Sequence, residues 1–357
     1  MESLVKAYAG RRVFVTGHTG FKGSWLSEWL LALGAEVHGY ALEPPTRPSL
    51  FVRLRLSGRI ASDVRGDVRD FGALKSAMRR ARPDYVFHLA AQPLVRLSYE
   101  RPFETFETNV MGTVGVLEAC RGLGRRCSLV CVTTDKCYEN RETTRPYRET
   151  DPMGGYDPYS CSKGCDELVV SSYRRSFFGS PASPVWVASA RAGTVIGGGD
   201  WAKDRLVPDC MRALSRGLPV PVRNKASVRP WQHVLEPLCG YLALGAALDS
   251  RTRFEEFSGG FNFGPEPRSC RTVGELVDEI LKNRPGRRID ASDPAAAHEA
   301  SLLSLDIRKA RRILGWRPRW NFATTVAKTV EWYSGVAAGE DPGALVRRQI
   351  SEYGGLA

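Results

Sequence analysis

The sequence has no run that approaches the roughly 18 consecutive apolar residues of a membrane-spanning helix. It also lacks an apolar segment of the signal-peptide type near residue 1. Nine cysteines are present, but none have the C-x-x-C spacing of a zinc site or a redox motif. Scattered thiols of this kind are typical of a reducing compartment. We therefore expect no membrane association, no bound metal and a cytoplasmic location.

Acidic residues are fewer than basic ones, with 39 Asp and Glu against 51 Lys and Arg, and the formal net charge is +12. The basic residues are dispersed and no RNA- or DNA-binding motif accompanies them, so we expect no nucleic-acid partner. A modest positive potential would instead attract an anionic small molecule. A soluble, arginine-rich surface is the alternative interpretation.

A glycine-rich segment, Gly-His-Thr-Gly-Phe-Lys-Gly at residues 17–23, joins a predicted strand at 12–16 to a predicted helix at 24–33. Strand, glycine loop and helix in this order are typical of dinucleotide binding, because glycines let the backbone approach the pyrophosphate at the helix N-terminus. The spacing is G-x-x-G-x-x-G, and a tight turn in another α/β protein is the alternative. The residues of this loop that we expect to contact the cofactor are Gly17, His18, Thr19, Gly20, Phe21, Lys22 and Gly23.

Short β-branched runs alternate with helical segments in the first half of the chain. The runs lie at residues 13–16, 36–41, 85–89 and 128–133. This alternation predicts an α/β fold with a Rossmann-type, doubly wound parallel sheet. After about residue 190, Gly and Pro are more frequent and the strands shorter. We expect a cofactor-binding domain at 1–190 and a smaller C-terminal α/β substrate-binding lobe at 191–357, part of which can return to the first domain.

The acid that binds the cofactor ribose is expected about 20 residues after the glycine loop. Glu43 is the nearest acid after the second predicted strand and would favour NAD, whereas Arg47 could accept the 2′-phosphate of NADP. Both can also be solvated loop residues, so the choice between the two cofactors stays open at this point. Asp67 and Val68, after the third strand, are candidates to contact the adenine.

Tyr159 and Lys163 form a second candidate motif, because positions i and i+4 share one face of a helix. The Asp-Pro dipeptide before Tyr159 suits a helix start. A nearby ammonium favours the phenolate, so we expect Lys163 to lower the pKa of Tyr159 toward the range of a useful base. Asp135 and Lys136, upstream, add an acid and an amine that an oxidoreductase does not need. Accidental pairs at the surface are the alternative for both motifs.

Several segments together resemble the extended short-chain dehydrogenase/reductases, and within them the nucleotide-sugar 4,6-dehydratases. These segments are residues 17–23, His88-Leu89-Ala90-Ala91-Gln92, Asp135-Lys136-Cys137-Tyr138-Glu139-Asn140, Gly154 to Tyr159, Gly197-Gly198-Gly199-Asp200-Trp201 and Arg229-Pro230-Trp231-Gln232-His233-Val234. The resemblance runs from about residue 8 to about residue 335. The Asp-Lys pair, where dTDP-sugar dehydratases have Asp-Glu, points to the branch that acts on CDP-glucose. Thr194, where the family usually has Asn, and the segment 141–147, which lacks the expected tryptophans, depart from the pattern and leave the exact nucleotide and sugar open.

The resemblance implies an NAD-dependent lyase that converts CDP-D-glucose to CDP-4-dehydro-6-deoxy-D-glucose and water, a step of deoxysugar biosynthesis. It implies that Tyr159 takes the C4 hydroxyl proton, helped by Lys163 and Thr134. It further implies that Lys136 removes the C5 proton and that Asp135 protonates the departing C6 hydroxyl. Additional cofactor contacts implied by the resemblance are Asp67, Val68, Leu89, Ala90 and Ala91. Implied substrate contacts are Gln92, Arg96, Thr134, Thr194, Arg205 and Arg229.

For this dehydratase interpretation we expect a homodimer or higher homo-oligomer. Two rival functions remain beside it. A nucleotide-sugar 4-epimerase shares the fold, NAD and the Tyr/Lys pair, but epimerisation does not need the acid and base at residues 135 and 136. A catalytically inactive, NAD-binding regulatory protein is the non-enzyme alternative, and the intact Thr134, Tyr159 and Lys163 argue against it.

Overall fold

The structure, a computed structural model, describes residues 2–250, 253–292 and 302–355. Its strands are β1 (Arg12–Thr16), β2 (Glu36–Ala41), β3 (Ser62–Arg65), β4 (Tyr85–His88), β5 (Cys127–Val132), β6 (Val185–Ala192), β7 (Val195–Ile196), β8 (Val220–Val222), β9 (Val228–Pro230), β10 (Gln232–His233), β11 (Gly260–Phe263), β12 (Cys270–Thr272) and β13 (Arg288–Asp290). Its α-helices are α1 (Glu2–Tyr8), α2 (Phe21–Ala32), α3 (Leu50–Arg53), α4 (Phe71–Ala81), α5 (Val95–Glu100), α6 (Pro102–Phe106), α7 (Gly112–Arg121), α8 (Pro158–Ser176), α9 (Leu206–Ser215), α10 (Leu235–Leu248), α11 (Phe254–Phe257), α12 (Val273–Asn283), α13 (Phe322–Ala337) and α14 (Pro342–Gly354). Short 3-10 turns lie at Leu56–Gly58, Asp135–Cys137 and Pro267–Ser269, and π-helical turns at Glu107–Met111 and Ala310–Leu314.

Seven strands form one parallel sheet in the order β11-β6-β5-β4-β1-β2-β3. Parallel strands require crossover connections, and the helices of those crossovers cover both faces of the sheet. All eight residues of β6 are buried, as expected for a strand that is covered on both faces. The expected fold class, a Rossmann-type doubly wound sheet, is confirmed.

The second half of the chain contributes both to this sheet and to a smaller unit. β11 pairs with β6 and supplies the strand at one edge, while α10 packs against β5 and β6. The smaller unit contains three two-stranded pairs, which are β7 with β10, β8 with β13 and β9 with β12. The carboxyl ends of β1, β4, β5 and β6 lie at one edge of the large sheet, which is where α/β proteins of this type place their ligands.

Within the described ranges, no helix combines the length and the apolar character that crossing a membrane requires. The same ranges contain no group of three or more His, Cys, Asp or Glu side chains arranged to hold a metal ion. The nine cysteines are all free thiols, and each is buried or half-buried.

Two histidines lie in the interior with uncharged rings. His88 hydrogen-bonds the hydroxyls of Thr16 and Thr113 through its two ring nitrogens, at 2.8 and 3.1 Å. The ring of His233 packs edge-on against Trp25 at a centroid distance of 5.8 Å. Burial lowers the pKa of both histidines to about 3, so both are neutral near neutral pH.

We expect acid to destabilise the protein through these two side chains. In the unfolded chain a histidine has a pKa of 6.5, so above that pH it is neutral in both the folded and the unfolded state. As the pH falls from 6.5 toward 3, the unfolded state takes up a proton and the folded state does not, so the free energy of unfolding decreases. By about pH 4.5 the loss should be about 2 to 3 kcal/mol for each histidine. Urea unfolding at about pH 7 and about pH 4.5 measures the free energy of unfolding at each pH. Between these two pH values, His233→Gln should lose about 2 to 3 kcal/mol less of that free energy than wild type does. Equal acid sensitivity in the two proteins would contradict the prediction.

Candidate active site

The glycine loop forms a cradle between β1 and α2. Gly17 has φ +75°, and a Cβ there would lie 2.8 Å from the Ala90 nitrogen. A Cβ on Gly23 would lie 2.1 Å from the Gly17 oxygen, so neither position accepts a side chain. Gly20 precedes α2 in an extended conformation and no side chain caps the helix. Backbone N–H groups at an uncapped helix N-terminus, next to space that no Cβ fills, suit the pyrophosphate of a dinucleotide.

The side chains of the loop point in different directions. The Thr19 hydroxyl donates to the Leu42 oxygen at 3.0 Å. His18 Nε2 lies 2.8 Å from Asp63 Oδ1, and burial lowers the pKa of the histidine. Phe21 packs toward Gly197 of the second half of the chain. These contacts fix the loop against both halves of the molecule.

Lys22 extends from the loop toward the centre of the site. Burial, followed by the positive charges of Arg205 and Lys163, lowers its pKa to about 8, while the carboxylate of Asp135 has the opposite effect. Lys22 is therefore close enough to these side chains to share their electrostatic environment, which the sequence motif alone did not indicate.

At the predicted adenine end, Val68 is buried and Asp67 is partly exposed. The Asp67 carboxylate accepts a hydrogen bond from Arg69 Nη2 at 2.6 Å. The backbone carbonyl of Asp67 accepts a second hydrogen bond, from a tyrosine hydroxyl. Glu43 is 78% exposed and pairs with Arg65 at 3.2 Å. Sequence reasoning missed Arg65, which lies between Glu43 and an acid on β3.

The segment after β4 lies directly over the glycine loop. The Leu89 and Ala90 nitrogens donate to the Thr16 hydroxyl, at 3.1 and 3.2 Å, and Leu89 to Ala91 are half-buried. Gln92 is buried, and its side-chain amide hydrogen-bonds Leu94 of the same loop and Thr105 of α6. The structure thus brings residues 89–91 to the cradle, whereas the Gln92 side chain supports the loop.

The turn after β5 carries the candidate elimination pair. Thr134 caps the 3-10 turn Asp135–Cys137, and its hydroxyl donates to Asp135 Oδ1 at 2.9 Å. Asp135 is 4% exposed and lies against Gly193, where a Cβ would be 2.8 Å from Asp135 Oδ2. Burial raises the pKa of the Asp135 carboxyl, against the opposing effects of Lys136 and Thr134. Asp135 therefore takes up a proton more readily than an exposed aspartate, as a general acid must.

The helix α8 presents Tyr159 and Lys163 to this turn. It begins as the Asp-Pro dipeptide predicted, with Asp157 accepting from the Ser160 nitrogen at 2.9 Å. Burial raises the pKa of Tyr159, while the Lys163 ammonium and the polar Thr134 side chain lower it. The expected effect of Lys163 is present, but the expected net decrease in the Tyr159 pKa is wrong, because desolvation of the phenol is the larger effect.

Lys163 has a buried partner that the sequence reasoning missed. Its Nζ lies 2.8 Å from Asp166 Oδ2, and the two side chains are 5% and 1% exposed. Burial raises the pKa of Asp166 to about 6, and the Lys163 ammonium opposes that change. An acid three residues after a helical lysine was the only signal in the sequence, and it is common on solvated helices.

Arginines of the second half reach the same region. Arg205 Nη1 lies 2.9 Å from Asp200 Oδ2, and the charge of Arg205 lowers the pKa of Tyr159. The charge of Arg229 similarly lowers the pKa of Asp135. Arg96 is more peripheral, since its side chain is 53% exposed and lies 3.6 Å from Asp204.

Two further observations bear on these candidates. Glu236 accepts from the backbone nitrogens of Arg319 and Trp320, so its carboxylate is occupied away from the candidate substrate site. Thr194 is half-buried next to Gly193, and its carbonyl accepts from the Gln232 nitrogen at 3.2 Å.

Comparison with known proteins assigns this arrangement to a family. The model of the GDP-mannose 4,6 dehydratase family matches residues 14–236. The chain belongs to this family. It is 51% identical over 353 residues to a CDP-glucose 4,6-dehydratase of Salmonella typhimurium, with 97% of each chain covered. A dTDP-glucose 4,6-dehydratase of Streptomyces antibioticus is 30% identical over 334 residues, which cover 90% of this chain and 92% of that one.

Solved structures of the family and its neighbours share the fold. A dTDP-glucose 4,6-dehydratase of Streptomyces venezuelae, with NAD and TYD bound, superposes with a TM-score of 0.78 at 26% identity, covering 93% of this chain and 99% of that one. A UDP-glucose 4-epimerase of Thermotoga maritima has the same TM-score at 22% identity, covering 91% and 99%, which shows likeness of fold alone. The family that the motifs indicated is thus confirmed.

Proposed function

We propose that this protein is an NAD-dependent nucleotide-sugar 4,6-dehydratase that acts on CDP-glucose. The observation that carries the proposal is the position of Thr134, whose hydroxyl donates to the buried acid Asp135 and which lies close enough to Tyr159 to lower the pKa of the phenol. An oxidation base and an elimination acid therefore meet at one point. The 51% identity to a protein named CDP-glucose 4,6-dehydratase supports the choice of CDP-glucose.

The residues of the chain have complementary roles in this reaction. NAD, for which the glycine cradle is suited, supplies the hydride acceptor for C4 and the hydride donor for C6. Tyr159 takes the proton of the C4 hydroxyl, and the charges of Lys163 and Arg205 favour the phenolate. The C4 ketone then acidifies the hydrogen at C5, which Lys136 removes as a proton.

Two protons are transferred after C4 oxidation and C5 deprotonation, one to the C6 hydroxyl and one back to C5. Asp135 gives its proton to the departing C6 hydroxyl, which leaves as water, and Lys136 returns a proton to C5 when C6 is reduced. Over one cycle Tyr159 gains a proton and Asp135 loses one. Thr134 hydrogen-bonds Asp135 and lies next to Tyr159, so it lies between the two groups. The product is CDP-4-dehydro-6-deoxyglucose, with no net redox change.

An activity screen tests the proposal. The protein is incubated with NAD and, separately, with CDP-, dTDP-, UDP- and GDP-linked glucose or mannose, and the product is treated with alkali. We expect the absorbance of a 4-keto-6-deoxy sugar with CDP-glucose above the others. Formation of the C4 epimer without this absorbance would favour the epimerase alternative, and no conversion of any substrate would favour an inactive binding protein.

Arg229 is proposed to bind the substrate diphosphate through paired hydrogen bonds from its guanidinium. Arg229→Lys keeps the charge but loses the fork, so we expect CDP-glucose affinity to fall by about 10- to 100-fold, as for the loss of one charged hydrogen bond. Calorimetric titration with CDP-glucose measures the loss, and NAD affinity should stay unchanged. The exposed Arg288, which pairs with Asp278, provides a matched control as Arg288→Lys. Equal substrate affinity in Arg229→Lys, Arg229→Ala and wild type would remove this residue from the site.

We also propose that the protein forms a homodimer through α6, α8 and the π-turn that follows α6. These adjacent segments expose Phe103, Met111 and Leu168, at 79%, 56% and 61%. Exposed large apolar side chains on adjacent segments are typical of a protein interface. Light scattering should give the mass of a dimer or a multiple of it, and Phe103→Asp with Leu168→Asp should reduce the mass. The control Leu218→Asp, at another exposed apolar residue, should leave it unchanged; a monomeric wild type would contradict the proposal.

A further inference from the structure

A buried ion pair lies beneath the elimination turn. Arg191 Nη2, from β6, is 2.7 Å from Glu167 Oε2, from α8, and the two side chains are 5% and 4% exposed. Although burial alone would raise the pKa of Glu167, the Arg191 guanidinium and neighbouring hydroxyls lower it, so the pair is ionised. Glu167 follows Lys163 by one helical turn and shares the face of α8 that carries Tyr159.

Glu167 fixes the N-terminal side of the elimination turn. Its Oε1 accepts from the Thr133 hydroxyl at 2.5 Å, and its Oε2 also accepts from the Ser189 hydroxyl at 2.7 Å. Thr133 directly precedes Thr134 and is the first residue after β5. The carboxylate thus connects α8 to the exact point at which the chain leaves the sheet.

Arg191 fixes the C-terminal side of the same turn. Its Nη1 donates to the Tyr138 hydroxyl at 2.7 Å and to the Glu149 carbonyl at 3.2 Å. The guanidinium also lies over the Tyr138 ring, 5.1 Å from its centroid. The Tyr138 hydroxyl in turn donates to Asn262 Oδ1, on β11, at 2.6 Å. Both ends of the segment 133–138 are therefore attached to a single ion pair.

The oxidation pair is fixed by different contacts. Lys163 is paired with Asp166, and the Tyr159 backbone nitrogen donates to the Ser98 hydroxyl at 3.2 Å. Neither contact involves Glu167 or Arg191, and Thr134 is a residue of the turn that acts on Tyr159. Disturbing the ion pair should consequently displace the turn that carries Asp135 and Lys136 more than it displaces Tyr159 and Lys163.

Energetics favour a positioning role over a stabilising one. The desolvation cost of a buried ion pair commonly offsets its Coulombic attraction, so such a pair contributes little to stability compared with apolar residues of similar size. The pair instead fixes the position of the turn. The two oxygens of the carboxylate and the nitrogens of the guanidinium hydrogen-bond groups of α8, β5, β6 and the turn, and so connect these segments. A displacement of about 1 Å at a reacting group can lower a rate by about 10²-fold.

We propose that Glu167 and Arg191 are positioning residues for the C5/C6 elimination, holding the turn that carries Asp135 and Lys136 at the correct distance from the sugar. This inference rests on the proposed dehydratase function. According to this inference, the ion pair positions the groups that act in the elimination. The groups that act in C4 oxidation are positioned by the contacts of α8 with Ser98 and Asp166.

The test separates the two half-reactions in Arg191→Lys and in the double variant Glu167→Gln with Arg191→Met. Arg191→Lys keeps a positive charge but cannot reach Glu167 and Tyr138 together. The double variant removes both charges and leaves no unpaired ion, which protects folding. Rapid mixing with CDP-glucose follows formation of reduced nicotinamide by its absorbance, and quenched samples give the dehydrated product and the incorporation of solvent deuterium at C5.

We expect reduced nicotinamide to form at a rate within about 3-fold of wild type, while product formation and deuterium incorporation fall by about 10- to 100-fold. The control is Asp84→Asn, which removes a partly buried carboxylate that pairs with Arg125 at 2.9 Å at the opposite edge of the sheet. This control should lower the temperature of unfolding without changing the ratio of the two rates.

An unchanged ratio of the two rates in both Arg191 variants, in a wild type that dehydrates CDP-glucose, would overturn the inference and leave the proposed function intact. A parallel fall in both rates, matched by the folded fraction, would assign the pair to stability alone and also overturn it. A wild type that dehydrates no nucleotide sugar would overturn the proposed function and this inference with it.

Discussion

Tyr159→Phe is expected to lower the rate of dehydration by about 10²- to 10⁴-fold, the range for loss of a positioned acid–base group. The ring remains and can still fill its place on α8, but the group that accepts the C4 proton is gone. Because C4 oxidation comes first, the variant should form neither product nor reduced nicotinamide. Stopped-flow absorbance after mixing with CDP-glucose measures the step directly.

Cofactor affinity provides the internal check on this variant, since the glycine cradle lies elsewhere and binding of NAD should be preserved. Tyr173→Phe, on the same helix and remote from the turn that follows β5, is the matched control and should keep near-normal turnover. Near-normal turnover in Tyr159→Phe itself would exclude this phenol as the base.

Asp135→Asn and Lys136→Met are expected to stop the reaction after C4 oxidation. Each should lower product formation by about 10²- to 10⁴-fold, because the first removes the proton donor for the C6 hydroxyl and the second the base for C5. Reduced nicotinamide should still appear on mixing with substrate, since Tyr159 and Lys163 are unchanged. Product analysis and absorbance on the same samples give the two quantities.

The exposed Lys282→Met is a suitable control for the lost positive charge, because Lys282 pairs at 2.8 Å with the neighbouring Glu279 on α12. It should leave both steps unchanged. If reduced nicotinamide falls as far as product does in Asp135→Asn or Lys136→Met, these residues do not belong to the elimination step alone.

Local sequence patterns were sufficient for the fold and for the outline of the site. The glycine loop and the helix start at Asp157 depend on residues close together in the chain, and the structure has both. A strand–helix alternation also determines a parallel sheet, since only crossover connections can join parallel strands.

What the sequence did not reveal depends on burial and on long-range partners. The net increase in the Tyr159 pKa arises from desolvation, which no local pattern reports. The pairing of Arg191 with Glu167 spans 24 residues, and many other acids in the chain were equally plausible partners. Likewise, Glu236 accepts from the backbone of residues 319 and 320, which are 83 and 84 residues away in the chain.

Helix α14 covers part of the first half of the molecule. Trp29, on the helix that follows the glycine loop, packs edge-on against Tyr353 of α14 at 5.8 Å, and Arg347 of α14 reaches Glu28. A ribosome synthesises the chain from its N-terminus, so this apolar face of α2 has no native cover until α14 has been synthesised. Nascent chains that stop after the first half would therefore expose Trp29 and the open edge of β6, and we expect them to be clients of chaperones and proteases.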